Sequence, residues 1–305
     1  MMSIPMETIT KLVQSSEFKV QSFDEDQSLT ENGFYWREKN GVKNLICRAL
    51  EEKGFINGFS TRLGGVSDFP RDSLSLAGYD NDLAEKIEEN RRRFLRLFDG
   101  DFQIASCWQV HSTDTRVVKT LEDAVDGNHK CDALVSNLEN VLLGAKTADC
   151  VPVLLGDDKT KAFAAIHAGW RGTVNSIVKN VCEKMRAHFG TNPKNLICAI
   201  GPAASGKNYE IGQDVIDAFR ENFLQSEQLF TPTRPGHALV DLPLANKEQL
   251  VSVGVLPENI HVAPLCTIER IDLFFSYRTE GKTGRLMSAI GLKRKGRRGD
   301  LEEGK

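Results

Sequence analysis

The chain has 305 residues, 40% of them hydrophobic and 27% charged, with a formal net charge of −3. That balance excludes a disordered or fibrous chain, and the length fits one large domain or two small ones. There is no basic excess to suggest a nucleic-acid partner. No apolar run approaches the ~18 residues of a membrane span, so no membrane association is expected.

Residues 1–30 are polar with weak periodicity and read as a loosely ordered leader. No basic segment followed by an apolar one is seen there, so no signal peptide is expected. The seven cysteines are an odd number scattered through a long chain, which is not a disulfide framework, and the expected compartment is the cytoplasm. Leu83–Phe98 places Leu83, Ala84, Ile87, Phe94 and Leu95 on one face opposite an Arg-rich one, predicting a helix. Short apolar runs bounded by Gly, Pro, Asn or Asp predict strands over Val141–Ala145, Val151–Leu155 and Ala162–His167. Val174–Phe189 predicts a second helix, with Gly190 as its stop. A strand over Leu196–Ile200 follows, then helices over Asp214–Phe223 and Leu244–Gly254, then strands over Ile260–Pro264 and Leu273–Tyr277. Residues 294–305 are almost all charge and Gly. They cannot bury enough apolar area to offset their ordering entropy, and read as a charged disordered tail. Without a linker or repeat between these ends, residues 31–293 form one predicted catalytic domain. Strands and helices mix without a β-α-β rhythm, no G-x-G-x-x-G follows a strand, and no Walker A motif is present. The expected fold is α+β, with layered mixed β-sheets flanked by helices, rather than a doubly wound Rossmann sheet.

Three short segments could carry chemistry: Cys107-Trp-Gln-Val-His-Ser112, Thr147-Ala-Asp-Cys-Val-Pro-Val153 and Ala165-Ile-His-Ala-Gly-Trp-Arg-Gly172. Each sets one His or Cys at the edge of a strand-like run, where a rigid sheet can hold a side chain in fixed geometry. Two imidazoles and a thiolate suit zinc, and three protein ligands leave an open fourth position, as catalytic zinc sites do. Two satisfied histidines and a buried thiol are the plain alternative at this level. So is a metal-free Cys150–His167 pair acting as a cysteine hydrolase.

QVHS, DALVSN, TADCVPVLL and AAIHAGWRGT, in this order, resemble the YfiH family, also called the multicopper polyphenol oxidase or laccase-domain family. FSTRLGGVS at Phe59–Ser67, AIGP at Ala199–Pro202, YEIG at Tyr209–Gly212 and the blocks around Cys266, Phe275–Arg278 and Thr283–Arg285 agree with it. The resemblance runs from about Phe59 to Leu292. It implies a fold similar to the catalytic domain of cytotoxic necrotizing factor toxins. It also implies a cytoplasmic metalloenzyme acting on purine nucleosides, by phosphorolysis of adenosine, inosine and S-methyl-5'-thioadenosine and by adenosine deamination. Phenol oxidation with copper and peptidoglycan editing are the family's other credited roles. The zinc ligands it implies are His111, Cys150 and His167, which double as the catalytic set; Cu²⁺ also suits these donors. Six histidines are too few for a multicopper array. Departures from the family pattern are Ser112 where Gly is common, the segment Ala203–Asn208 in place of flanking cysteines, and Arg278-Thr-Glu280 after Ser-Tyr.

A phosphorolytic site must also hold phosphate, for which Arg is suited by its fork. Arg62, with the hydroxyls of Ser60 and Thr61 beside Gly64 and Gly65, is the first candidate for an anion-binding turn; Arg278 is the second, ahead of Arg171 and Arg285. Trp170 and Tyr277 are candidates for stacking on a purine. Asp149 reads as a supporting residue, and Cys107, Cys131, Cys182 and Cys198 as small buried apolar groups. A monomer or homodimer is expected.

Overall fold

The computed structural model describes residues 24–77 and 82–292. Two six-stranded mixed sheets face each other across an apolar core. The first runs in the order β1 (Phe34–Lys39), β2 (Val42–Cys47), β3 (Phe55–Ser60), β15 (Leu286–Leu292), β7 (Val141–Thr147) and β4 (Gln103–Ala105). The second runs β14 (Ile260–Val262), β10 (Leu196–Ile200), β8 (Val151–Asp157), β9 (Phe163–Ala168), β6 (Ala133–Ser136) and β5 (Thr115–Val117). A small third sheet is built from β11 (Glu210–Gly212), β13 (His237–Val240) and β12 (Phe230–Arg234).

Three cores define the layers. Phe55, Phe59, Leu143, Leu154, Phe163 and Phe275 fill the space between the two large sheets. The helix Ala84–Leu95 covers the outer face of the first sheet, with Phe94 packed beside Leu142 and Met287. The helix Ile177–Phe189 covers the outer face of the second, burying Ile177, Val178, Val181, Cys182 and Met185. This is the layered α+β sandwich that the pattern predicts. Burying an aliphatic side chain contributes about 1.5–3 kcal/mol, so this one helix face holds the layer firmly.

The predicted strands at 141, 151, 162, 196 and 260 are observed with end shifts of a few residues. The helix predicted over Val174–Phe189 is divided. Trp170–Val174 forms one turn, Ser176 adopts a left-handed φ of 62°, and Ile177 starts the main helix. The strand predicted over Leu273–Tyr277 is absent. Leu273, Phe274 and Phe275 are all buried between the sheets, and three consecutive buried side chains fit a turn rather than a strand with alternating faces. The leader predicted over 1–30 is described only from residue 24. There residues 24–31 form a helix, Leu29 is buried in the inter-sheet core and Glu25 pairs with Arg270. One apolar residue and one charge tie down this polar segment, so the ordered body begins before residue 31. The tail prediction falls outside the described residues. No helix among the described residues is long and apolar enough to cross a membrane.

Candidate metal centre

The chain crosses from the first sheet to the second at two places that matter. Between β4 and β5 the crossover carries His111. Between β7 and β8 the three-residue crossover Ala148–Cys150 carries the thiol. His167 lies within β9, which is hydrogen-bonded along its length to β8. Ligand-type atoms of His111, Cys150 and His167 all lie within 4.8 Å of one another. The two imidazole rings meet edge to face at 4.8 Å.

Sharp crossovers force unusual backbone. His111 has φ 60° and Asp149 φ 87°, left-handed values that non-glycine residues rarely adopt. Both are held by carboxylate chemistry. Asp132, directly ahead of β6 and almost fully buried, accepts from the backbone N–H groups of Val110 (3.2 Å), His111 (3.0 Å) and Ser112 (2.6 Å) and from the Ser112 hydroxyl (2.9 Å). The same carboxylate meets His167 Nδ1 at 2.8 Å. One buried acid thus fixes the His111 loop and the orientation of His167, leaving His167 Nε2 for the cluster. Asp149 accepts from Thr267 Oγ1 and from the Arg278 N–H, each at 2.7 Å. It ties the Cys150 crossover to the segment between β14 and β15, a supporting role as expected. Gly169 completes the cradle, since a Cβ there would come within 3.2 Å of Cys150 Sγ and 3.0 Å of His111 Cδ2.

Charges in the cluster are mutually dependent. Burial alone would raise the Cys150 thiol, but the His167 charge and hydrogen bonds from both imidazoles bring it down to about 6. Burial would lower His167, yet Cys150 and Asp132 raise it to about 9. Hydrogen bonds from His167 and Ser112 outweigh burial and hold Asp132 at about 2. A thiolate is therefore the ready form, as metal binding requires. Zinc is bound with Zn–N about 2.0–2.1 Å and Zn–S about 2.3 Å. Donor atoms within 4.8 Å of each other need only small rotations to reach such distances. A His₂Cys donor set with His111 facing solvent fits a metal with one side open.

Around the cluster, the exposed Arg278 lies over the half-buried Tyr209 ring, 4.7 Å from its centre. Trp108 and Tyr277 are well exposed. Arg171 stacks on Trp170 at 4.4 Å. Cys107, Cys131, Cys182 and Cys198 are buried. Cys266 accepts from the Ser205 N–H at 3.4 Å and lines a separate cavity of about 520 Å³ with Lys207, Asp241 and Glu269.

At Ser60–Arg62, where an anion-binding turn is expected, the polar side chains make contacts inside the fold. Ser60 and Thr61 are buried. Ser60 Oγ accepts from the Met287 N–H at 3.0 Å, and Thr61 Oγ1 donates to the Lys43 carbonyl at 2.9 Å. Arg62 donates to the carbonyls of Ile271 (2.7 Å) and Phe274 (3.3 Å), pairs with Glu280 at 3.0 Å and stacks on Phe275 at 4.8 Å. Glu280 offsets its charge, and its Nη1 is committed to anchoring the β14–β15 connection. A strand-end Ser-Thr-Arg is equally compatible with an anchor, and residues 271–280 lie too far along the chain for local sequence to reveal them. Pattern does not single out Asp132. The only sequence signal for Asp132 is its place at the head of DALVSN.

Residues 56–293 match the family described as multi-copper polyphenol oxidoreductase laccase. The chain belongs to this family. Within the laccase-like family it is similar to a protein named purine nucleoside phosphorylase from Bacteroides thetaiotaomicron, 35% identical over 76% of this chain and 89% of that one. It is also similar to purine nucleoside phosphorylase YlmD of Bacillus subtilis, 34% identical over 79% and 90%. Among solved structures, Bacillus licheniformis YfiH shares 31% identity with a TM-score of 0.79, covering 85% of this chain and 99% of that one. YlmD of Geobacillus stearothermophilus gives the same identity and TM-score over 86% and 99%.

Proposed function

We propose that the protein is a metal-dependent purine nucleoside phosphorylase that holds one Zn²⁺ on His111, Cys150 and His167. The reading is supported most by the convergence of these three donors at two inter-sheet crossovers, in a chain whose relatives carry that enzyme's name. Bound zinc supplies Lewis acidity toward a ligand in the open position. The protein's own residues do the rest. Asp132 keeps His167 in one tautomer, Asp149 holds the Cys150 crossover, and Trp108 and Tyr277 offer exposed rings on which a purine stacks. Phosphate attacks C1′ of the nucleoside as the C1′–N bond breaks, giving the free base and a ribose 1-phosphate. S-methyl-5'-thioadenosine fits the same reaction, and adenosine deamination is a second activity proposed for the same centre. The domain is taken to work in the cytoplasm as a monomer or homodimer.

Product analysis by mass spectrometry tests this. Incubation with adenosine, inosine and S-methyl-5'-thioadenosine is expected to give base plus sugar phosphate only when phosphate is present, and inosine from adenosine with or without it. Absence of sugar phosphate from all three substrates would reject the phosphorylase reading. The triad-like order Asp132–His167–Cys150 favours a second reading, a cysteine hydrolase. Metal-free protein that turns over substrate and loses activity on alkylation of Cys150 would select it.

A further inference from the structure

The outer face of the first sheet carries two cations that the metal centre leaves unused. Lys146 pairs with Met287, and Thr147 with Leu286, in the β7–β15 ladder. Leu286 points between the sheets and Met287 toward the helix Ala84–Leu95. Paired residues share a face, so Lys146 lies on the helix side. It is half-buried, and its Nζ donates to the Cys107 carbonyl at 2.7 Å. The Gln109 side chain brackets its backbone, donating to the Lys146 carbonyl at 2.7 Å and accepting from its N–H at 2.8 Å. This couples Lys146 to the His111 loop. It also stands four residues before Cys150, so their Cα atoms lie within about 14 Å even on a fully extended path.

Arg285 stands two residues before Met287 in the same strand direction. Its Nη1 donates to the carbonyls of Thr283 (2.9 Å) and Gly284 (3.0 Å). Its guanidinium lies 5.9 Å from the ring centre of Tyr277, the neighbour of the Arg278 N–H that holds Asp149. Among the described residues, the side-chain partners of Lys146 and Arg285 are carbonyls and a ring rather than carboxylates. Burial lowers the Lys146 pKa, helped by the charge of Arg91 and opposed by Cys107, Cys131 and Asp132. Carbonyl ties fix a cation's position without neutralising it. A positive charge held partly out of water with no described carboxylate in ion-pair range is costly to maintain, and a bound dianion relieves that cost.

We infer that Lys146 and Arg285 hold the phosphate co-substrate. The inference rests on the phosphorylase reading, and it puts the anion at cations that no described carboxylate pairs with directly rather than at Arg62, which pairs with Glu280. Lys146 acts as a point charge and Arg285 as a fork for two phosphate oxygens.

Calorimetric titration with inorganic phosphate tests it on the intact protein. Lys146→Gln and Arg285→Gln are each expected to weaken phosphate binding about ten- to hundredfold, the range of one charge-assisted hydrogen bond. Bound metal and adenosine affinity should stay at wild-type levels, and Arg285→Lys should recover part of the loss. Lys146→Met, with a similar apolar stem, replaces Lys146→Gln if that variant fails to melt cooperatively. Unchanged phosphate affinity in folded, metal-loaded variants overturns the inference, as does a wild-type protein that binds no phosphate. If phosphate binds through these residues but no nucleoside yields sugar phosphate, the phosphorylase reading fails while the anion site stands.

Discussion

Two segments of this chain look equally suited to chemistry in sequence and turn out differently in space. The crossovers at His111 and Cys150 bring donor atoms together with His167, whose Nδ1 is held by Asp132. The Ser60–Arg62 turn has the right residue types for an anion, but each polar side chain there is already hydrogen-bonded inside the fold. Residue type proposes a site; what decides is whether the polar atoms remain uncommitted after folding. The same test is why the phosphate site is proposed at Lys146 and Arg285, whose side-chain hydrogen bonds among the described residues go to carbonyls.

Breaking the first segment gives the largest expected effect. His167→Ala removes a ligand and the one imidazole bonded to Asp132, so bound metal is expected to fall to background and phosphorolysis and deamination to be lost together; elemental analysis and product assays read this. Retained metal with lost activity would instead make His167 an acid–base group. Asp132→Asn tests whether the crossover geometry depends on one carboxylate. Outer-shell partners of metal ligands typically matter by 10–100-fold, and that loss of zinc affinity is expected in a competition titration with a chelator. A wild-type zinc affinity would show that the backbone alone sets the loop.

Arg62→Ala sharpens the contrast from the other side. Loss of its hydrogen bonds and ion pair is expected to cost about 1.5–3 kcal/mol of stability, seen as a lower denaturant midpoint, while the phosphate KM stays within twofold. A raised phosphate KM at full stability would restore Arg62 to the substrate site. The smallest effect belongs to Ser112→Ala. It removes one hydroxyl bond to Asp132 while the backbone N–H bonds remain, worth about 0.5–1.5 kcal/mol. Zinc affinity should fall by about tenfold or less, and a larger drop would mean that the hydroxyl shapes the loop.

Much of the layered fold was legible because its buried strands are apolar runs and its covering helices have 3.6-residue periodicity. The hairpin of β1 and β2 was not. Its only strong signal is Asn40-Gly41, both with positive φ at the turn. Among site residues, the three donors stand in quotable motifs at strand edges. Asp132 acts through bonds to residues 20–22 and 35 positions away, and Lys146 through a register with Met287 far along the chain. Such pairings are set by tertiary contacts that periodicity does not encode.

The proposed phosphorolysis depends on a single metal held by His111, Cys150 and His167. Chelator-treated protein titrated with zinc, with ribose 1-phosphate formed from inosine as the readout, tests it directly. Activity should be negligible at the start, rise linearly to one equivalent of zinc and then level off, with no rise in Cys150→Ser. Full activity before zinc is added, or an equal rise in Cys150→Ser, would contradict the account.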